Sequence, residues 1–251
     1  MAEPYDANLC AQIKACCKKL KLSSSLVSRA QSLNSTSNME FLSNVLTAEV
    51  SYRESMRIKK LISTAGFPRF YSFDQFHPEE VQFREGCSFE SLKSLKFMEE
   101  GKNIIMYGGS GTGKTMLSIC IGLKLCNSDI PTTFFRTTSL VNQLSENKSD
   151  GTLSKFIKRV NKASVLILDE FGYVPYDRIG CQLLFDLLSD LHEQPDKHII
   201  LNTNQEFTQW SNILYDEKMA VALIGRLTHH CELIVFPGKN RRLQESSLNN
   251  L

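Results

Sequence analysis

The run Gly108-Gly109-Ser110-Gly111-Thr112-Gly113-Lys114-Thr115 constrains this chain more than any other stretch. It matches G-x-x-x-x-G-K-[ST] and lies between a short apolar run, Asn103 to Tyr107, and a helix-like run from Lys114 to Leu125. A strand must therefore enter the loop and a helix must leave it. Glycines let backbone amides turn inward around a phosphate, and the helix directs its positive end at the same group. Lys114 supplies a point charge for β- and γ-phosphates, and Thr115 offers a hydroxyl to Mg²⁺. A glycine-rich turn matching by chance would need no acidic partner strand, yet one is present downstream.

That strand is Val165-Leu166-Ile167-Leu168-Asp169-Glu170. In a parallel α/β sheet, ligand groups lie at the carboxyl ends of strands, so Asp169 is expected near the loop, holding Mg²⁺ directly or through water. Glu170 is then the candidate base that orients and deprotonates an attacking water. A further apolar run, Ile199 to Leu201, ends in Asn202-Thr203-Asn204. A polar residue there can contact the γ-phosphate and the water. Asn204 is the first choice, with Thr203 and Asn202 as alternatives, whereas in isolation the cluster would read as a turn. Arg226 follows the helical run Met219 to Ile224. Taken alone it is an ordinary surface residue; at a subunit edge it could neutralise charge on a neighbour's γ-phosphate. His229-His230 have no partner acid at ligand spacing, which argues against a metal pair.

From Asn103 onward, strand-like and helix-like segments alternate. Strands are expected at Thr132 to Arg136, Ser164 to Leu168, His198 to Asn202 and Cys231 to Phe236. Helices are expected at Ser139 to Leu144, Leu153 to Val160, Ile179 to Gln194 and Glu217 to Arg226. That order predicts an α/β fold with a mostly parallel sheet covered by helices. Ahead of it, helices are expected over Asn8 to Leu22, Ser25 to Leu33 and Met39 to Thr64, the last with Phe41, Leu42, Val45, Leu46 and Val50 in its apolar pattern. Gly66 and Pro68 stop that helix. The aromatic stretch Phe67 to Phe76 is expected to pack as a connecting arm, with Phe70, Phe73 and Phe76 as anchors rather than a base-stacking platform. A helix from Phe89 to Glu99 follows. A chain of 251 residues can bury one full-sized core and carry a smaller appendage. The expected division is an all-helical module at 1–65 and an α/β domain at 66–251 whose linker arm spans 66–100.

No run approaches the ~20 apolar residues of a membrane span, and Met1 to Tyr5 contain an acid rather than a basic leader, so no membrane partner and a cytoplasmic location are expected. Eight cysteines show no ligand spacing and are expected as buried thiols rather than zinc ligands or disulfides. The net charge of +2 says little, but three basic clusters do more: Lys14, Lys18, Lys19 and Lys21; Arg57, Lys59 and Lys60; Lys239, Arg241 and Arg242. Each alone reads as a solvated face. Together, beside a nucleotide-binding loop, they make duplex DNA a candidate partner. With no helix-turn-helix, zinc finger or basic zipper to read bases, contact would be chiefly with the phosphate backbone, through Arg57, Lys59, Lys60 and the region from Thr137 to Lys158.

The chain resembles the IstB-like ATP-binding proteins, transposition helpers of bacterial insertion sequences that are similar to DnaC helicase loaders and belong to the AAA+ class. The most specific carrier is Asp169-Glu170-Phe171-Gly172-Tyr173-Val174-Pro175, followed by Gly180 and Leu183-Leu184-Phe185. Thr203-Asn204, Trp210, Asp216, Met219-Ala220 and Arg226-Leu227-Thr228-His229-His230 complete the order, ending at Gly238 and Arg242. The resemblance implies a P-loop AAA+ three-layer sandwich that binds ATP and Mg²⁺ through Gly108 to Thr115 and Asp169. It also implies hydrolysis between subunits of a homo-oligomer on duplex DNA, and an N-terminal module that contacts a cognate transposase. Asn204 resembles the first sensor and Arg226 the finger supplied in trans. Two departures stand out: Gly225 replaces the acid that usually precedes the finger, and Asn240-Arg241-Arg242 replaces Ser-Tyr-Arg. Arg242 aligns with the family arginine, for which sensing nucleotide, touching DNA and closing the fold are open alternatives. A helicase loader and a nucleotide-regulated scaffold with little turnover are the rival readings.

Overall fold

A computed structural model describes residues 7–33, 35–173, 177–238 and 240. Lys239, Arg241, Arg242 and the Val174-Pro175 end of the acidic run lie outside the described residues. The described residues up to Lys60 form one compact unit, and those from Leu61 a second.

Helices α1 (Ala7–Lys19), α2 (Leu26–Gln31) and α3 (Asn38–Thr64) open the chain. The exit from α1 is closed by Lys21 in the left-handed region, with the Leu22 N–H donating back to the Cys17 carbonyl at 2.8 Å. Two short helices cannot sheathe a helix of 27 residues, which spans about 40 Å. The apolar pattern of α3 therefore does not mark a buried face: Leu42, Leu46 and Val50 are about half exposed, at 50%, 49% and 55%. The buried residue of α3 is instead Glu49, only 3% exposed. Its carboxylate accepts from the Ser23 N–H at 2.7 Å, the Ser23 hydroxyl at 2.5 Å and Arg53 Nε at 2.9 Å, and also pairs with Arg29. Burial alone would raise its pKa; the Ser23 and Arg53 hydrogen bonds overcome this and hold it down at about 2.

The second unit is built on six strands. Its elements are β1 (Gln82–Phe83), α4 (Phe89–Lys93), α5 (Lys96–Glu99), β2 (Asn103–Gly108), α6 (Lys114–Asn127), β3 (Thr132–Arg136), α7 (Thr137–Ser149), α8 (Leu153–Val160), β4 (Val165–Phe171), α9 (Arg178–His192), β5 (His198–Thr203), α10 (Trp210–Leu214), α11 (Glu217–His229) and β6 (Cys231–Phe236). The sheet order is β1-β6-β2-β5-β4-β3. Every pairing is parallel except β1 with β6, a two-residue antiparallel edge too short to show any period in sequence.

Side chains alternate across the sheet, so each strand feeds two cores. Ile105, Leu166, Leu168, Ile199 and Leu201 pack with Leu140, Leu144, Leu184, Leu188 and Leu223 of α7, α9 and α11. Ile104, Met106, Ile167, Ile200 and Ile234 pack with Leu117, Ile121 and Leu125 of α6 and with Leu92 and Phe97. This is a three-layer α/β sandwich, and each fully buried aliphatic side chain in it contributes about 1.5–3 kcal/mol. Because the five central strands run the same way, their carboxyl ends gather Gly108, Arg136, Asp169, Thr203 and Phe236 along one edge.

Three expectations need correction. The helix expected over Phe89 to Glu99 is two short helices, broken where Leu95 adopts a φ of 62° and buries its side chain. Of the three aromatic anchors, Phe76 stacks on Phe89 at 5.5 Å and Phe73 meets the same ring at 5.7 Å, but Phe70 is 68% exposed and anchors nothing. All eight cysteines are free, yet Cys16 is exposed rather than buried. Burial pushes the Cys120 thiol up to about 12, so it is chemically quiet. Among the described residues no helix is long and apolar enough to cross a membrane.

Glu49 makes the first unit acid-sensitive. Its folded-state pKa lies below the ordinary 4.5, so its contribution is fully present above that pH and is lost as pH falls towards about 2. Hydrogen exchange on the full chain, corrected for intrinsic rates, should show protection at Ser23 to Arg29 declining across that window. In Glu49→Gln, protection should already be reduced at neutral pH, by about 2 kcal/mol, and should not change further on acidification. Unchanged protection in the variant would show that the cluster is not what holds this unit.

Candidate nucleotide-binding site

The loop between β2 and α6 turns because Gly108, Gly111 and Gly113 all adopt positive φ. Gly108 has a φ of +153°, and a Cβ there would lie 2.3 Å from the Phe236 carbonyl oxygen of the neighbouring strand. Gly111, at φ +75°, lies directly beneath the Asn240 carboxamide, which a Cβ would meet at 1.9 Å. Thr112 fastens the turn by donating to the Gly109 carbonyl at 2.8 Å. Lys114 Nζ donates to the carbonyls of Gly108 and Gly109, each at 2.6 Å, so its charge sits at the mouth of the loop.

One turn into this site, Thr115 Oγ1 donates to the Asp169 carboxylate, 2.9 Å from Oδ1 and 3.0 Å from Oδ2. Asp169 is 4% exposed and takes a further bond from Asn202 Nδ2 at 2.9 Å. Asn202 also donates to Ser118 of α6 at 2.9 Å, while Thr137 at the start of α7 donates to the Asp169 carbonyl at 2.8 Å. A hydroxyl and a carboxylate form a hard oxygen pair. Among the described residues no group of three or more His, Cys, Asp or Glu could hold a metal. The donor set therefore fits a cation that takes few protein ligands and fills its shell with phosphate oxygens and water, as Mg²⁺ does.

Glu170 follows with a φ of 59°, a left-handed conformation uncommon outside glycine, at the point where the β4–β5 register shifts between Leu168 and Phe171. The bulge turns its carboxylate out to 45% exposure while Phe171 returns to the core against Trp210 at 4.5 Å. Arg136 Nε stands 3.8 Å from the Glu170 carboxylate. Thr203 donates to the Phe171 carbonyl at 3.0 Å, and Asn204 Oδ1 is buried with no hydrogen-bond partner among the described residues.

The structure thus brings Gly108 to Thr115, Asp169, Glu170 and the Asn202 to Asn204 turn to one edge. Arg226 is not brought there. It lies on α11, one turn before β6 begins, at the end where Cys231 pairs with Asn103; the loop is at the other end, where Phe236 pairs with Gly108. The strand between them spans roughly 20 Å. The Arg226 guanidinium lies over the Phe185 ring at 5.4 Å. A Cβ on Gly225 would meet nothing within 4 Å, so the missing acid leaves no gap in the packing.

Ser118, Thr137, Arg136 and Asn240 join the site without having been chosen from sequence, and Asn202, there only an alternative to Asn204, is the residue that bonds Asp169. Arg136 could have been found once β3 was known to pair with β4, since it is the register partner of Asp169. Asn240 carried no signal, because its contact with Gly111 exists only when β6 runs beside β2.

Comparison with known proteins agrees with this geometry. The family model for IstB-like ATP-binding proteins matches residues 17–249. The protein named as an ATP-binding protein of insertion sequence IS5376 in Geobacillus stearothermophilus is 32% identical over 217 residues, covering 86% of each chain. Its counterpart in insertion sequence IS21 of Pseudomonas aeruginosa is 31% identical over 209 residues, covering 82% of this chain and 77% of its own. The crystal structure of the DnaC helicase loader matches with a TM-score of 0.52 at 22% identity, over 66% of this chain and 96% of that one, a likeness of fold. Sequence match and sandwich agree, and this chain belongs to the family of IstB-like ATP-binding proteins.

Proposed function

We propose that this chain is an ATPase that regulates DNA transposition: ATP draws its subunits together on duplex DNA, and the assembly recruits or stimulates a transposase. The observation that carries the reading is the position of Arg226. A phosphate and cation cradle stands at one edge of the sheet and the candidate finger at the other, which supports a site that a second copy completes. The names of the similar insertion-sequence proteins supply the biological setting.

Thr115 and Asp169 would hold Mg²⁺, whose charge offsets that of the β- and γ-phosphates when bound. Lys114 exchanges its two loop carbonyls for phosphate oxygens. Glu170 accepts a proton from the attacking water, and the orphaned Asn204 Oδ1 accepts a hydrogen bond from the same water. Arg136 keeps Glu170 at the rim between turnovers. The exposed Leu42, Leu46 and Val50 on α3 are suited to contact between subunits or with the transposase. Basic side chains hold backbone phosphates, which makes binding salt-dependent.

Imaging the purified chain with duplex DNA tests the central claim: ATP, and not ADP, should produce DNA-bound oligomers. No such oligomer with ATP would end the transposition reading, and a complex formed only with a replicative helicase would favour the loader. Glu170→Gln should retain ATP binding and lower hydrolysis by about 100-fold or more. Arg226→Ala should be similarly slow alone. Mixing the two variants should restore part of the rate, because some junctions then combine an intact Glu170 with a neighbour's intact Arg226; no recovery would place the finger in its own subunit's site or nowhere. Leu46→Asp should shift the ATP-dependent assembly to smaller species in sedimentation, and an unchanged distribution would remove α3 from the contacts.

A further inference from the structure

A cleft of about 240 Å³ opens at the foot of the sheet, on the edge opposite the phosphate loop. None of its nine lining residues is acidic. We propose that this cleft is a second anion site and that it takes a phosphate group.

The cleft is built rather than incidental. Asn103, at the first residue of β2, is only 7% exposed; its Oδ1 accepts the Ile199 N–H at 2.8 Å, which leaves its amide nitrogen as a donor. The Asn103 N–H in turn holds the His230 carbonyl at 2.8 Å and fixes the backbone there. Lys197, whose side chain is 10% exposed, is anchored by bonds from Nζ to the carbonyls of Asn161 at 2.9 Å and Ala163 at 3.1 Å. Its charge is set into the wall instead of trailing in solvent. His192, His229 and His230 complete the lining, the last two rings packed edge to face at 4.4 Å. None of the three imidazoles has a hydrogen-bond partner among the described residues.

The imidazoles have no partner to donate to, while Gln194 spends one amide proton on the Asp190 carbonyl at 2.9 Å and Lys197 two on the carbonyls that anchor it, so both keep donor capacity for a ligand. Two side-chain amides, three imidazoles and a lodged ammonium outnumber the lone pairs of a single carboxylate and match the several oxygens of a phosphate. The charged groups around the cleft are mostly cationic or already paired, with Glu193 as the opposing charge. On α9, Glu193 follows His192; on α11, Arg226 lies one turn before His230. In the loop before β5, Asp196 is 72% exposed and stands 3.5 Å from Lys197. Beneath, Lys102 is paired with Glu100 and Glu232, and His198 faces the Lys102 carbonyl and the Phe97 ring. Burial holds His192 below its ordinary pKa, helped by Arg226, His229 and His230 and opposed by Glu193. A bound dianion would favour the charged imidazoles, so occupancy should be coupled to proton uptake and should strengthen as pH falls. The site depends on neither Arg226 acting in trans nor DNA assembly, and it would survive the failure of either.

The test is calorimetry on the full chain carrying Lys114→Ala, which removes the phosphate loop as a competing site, with inorganic sulfate as the probe, because it has the shape of phosphate and stays a dianion across the pH range used. Sulfate should bind about fivefold more tightly near pH 6 than near pH 7.5, with a buffer-dependent heat that reports proton uptake. Adding His229→Gln and His230→Gln, both on exposed positions, should abolish binding and its pH dependence without moving the melting temperature; His192→Gln should weaken it in a folded background. Competition by a short duplex would assign the site to the DNA backbone, and indifference to the duplex would assign it to free or nucleotide phosphate. No binding near pH 6, or binding unchanged in the double variant, overturns the proposal.

Discussion

The Asp169 carboxylate ties the candidate site together. It sits at the end of β4, almost wholly buried, and accepts from Thr115 on α6 and Asn202 on β5, while its own backbone carbonyl receives Thr137 from α7. A buried carboxylate without such donors would be strongly destabilising, so the surrounding elements must hold their positions for it to remain there. The loop geometry, the entry of α6 and the end of β5 are fixed by the same set of bonds. A cation bound between Thr115 and Asp169 would inherit a rigid support.

The polarity of the sheet distributes chemistry between two edges. Five parallel strands deliver the phosphate loop, Asp169, Glu170 and Asn204 to their carboxyl ends, and Arg226, His192, His229 and His230 to the opposite end. The proposed function uses that separation directly, because a nucleotide held at one edge can meet a neighbour's arginine only across a junction between copies. The strained backbone at Glu170 belongs to the same design: the bulge removes one residue from the ladder so that a carboxylate leaves the core while Phe171 and Trp210 keep packing behind it.

Much of this was legible in residue order. The phosphate loop, the apolar strand closing on Asp169-Glu170 and the alternation of strands and helices are local patterns whose physics operates over a few residues. Other features were not legible. Leu42, Leu46 and Val50 carried a helical apolar period, yet they are exposed, because period reports which residues share a face and not whether anything is large enough to cover it. Leu95 broke an expected helix through a left-handed turn that its sequence context does not mark. Phe70 shared its spacing with Phe73 and Phe76 but not their burial.

By itself the sequence determined the family, the strand–loop–helix that can hold phosphate, and the acids that follow the matching strand, since each depends on residue types at short fixed spacing. The tertiary structure alone decided that Asn202 rather than Asn204 bonds Asp169, that Arg136 stands beside Glu170, that Asn240 rests on Gly111, and that Arg226 lies at the far edge with three histidines around a cleft. These are contacts between residues up to 129 positions apart, such as Gly111 and Asn240 (240 − 111). Such distant pairs meet only because the crossover connections between parallel strands set the order of the sheet, which no local pattern records.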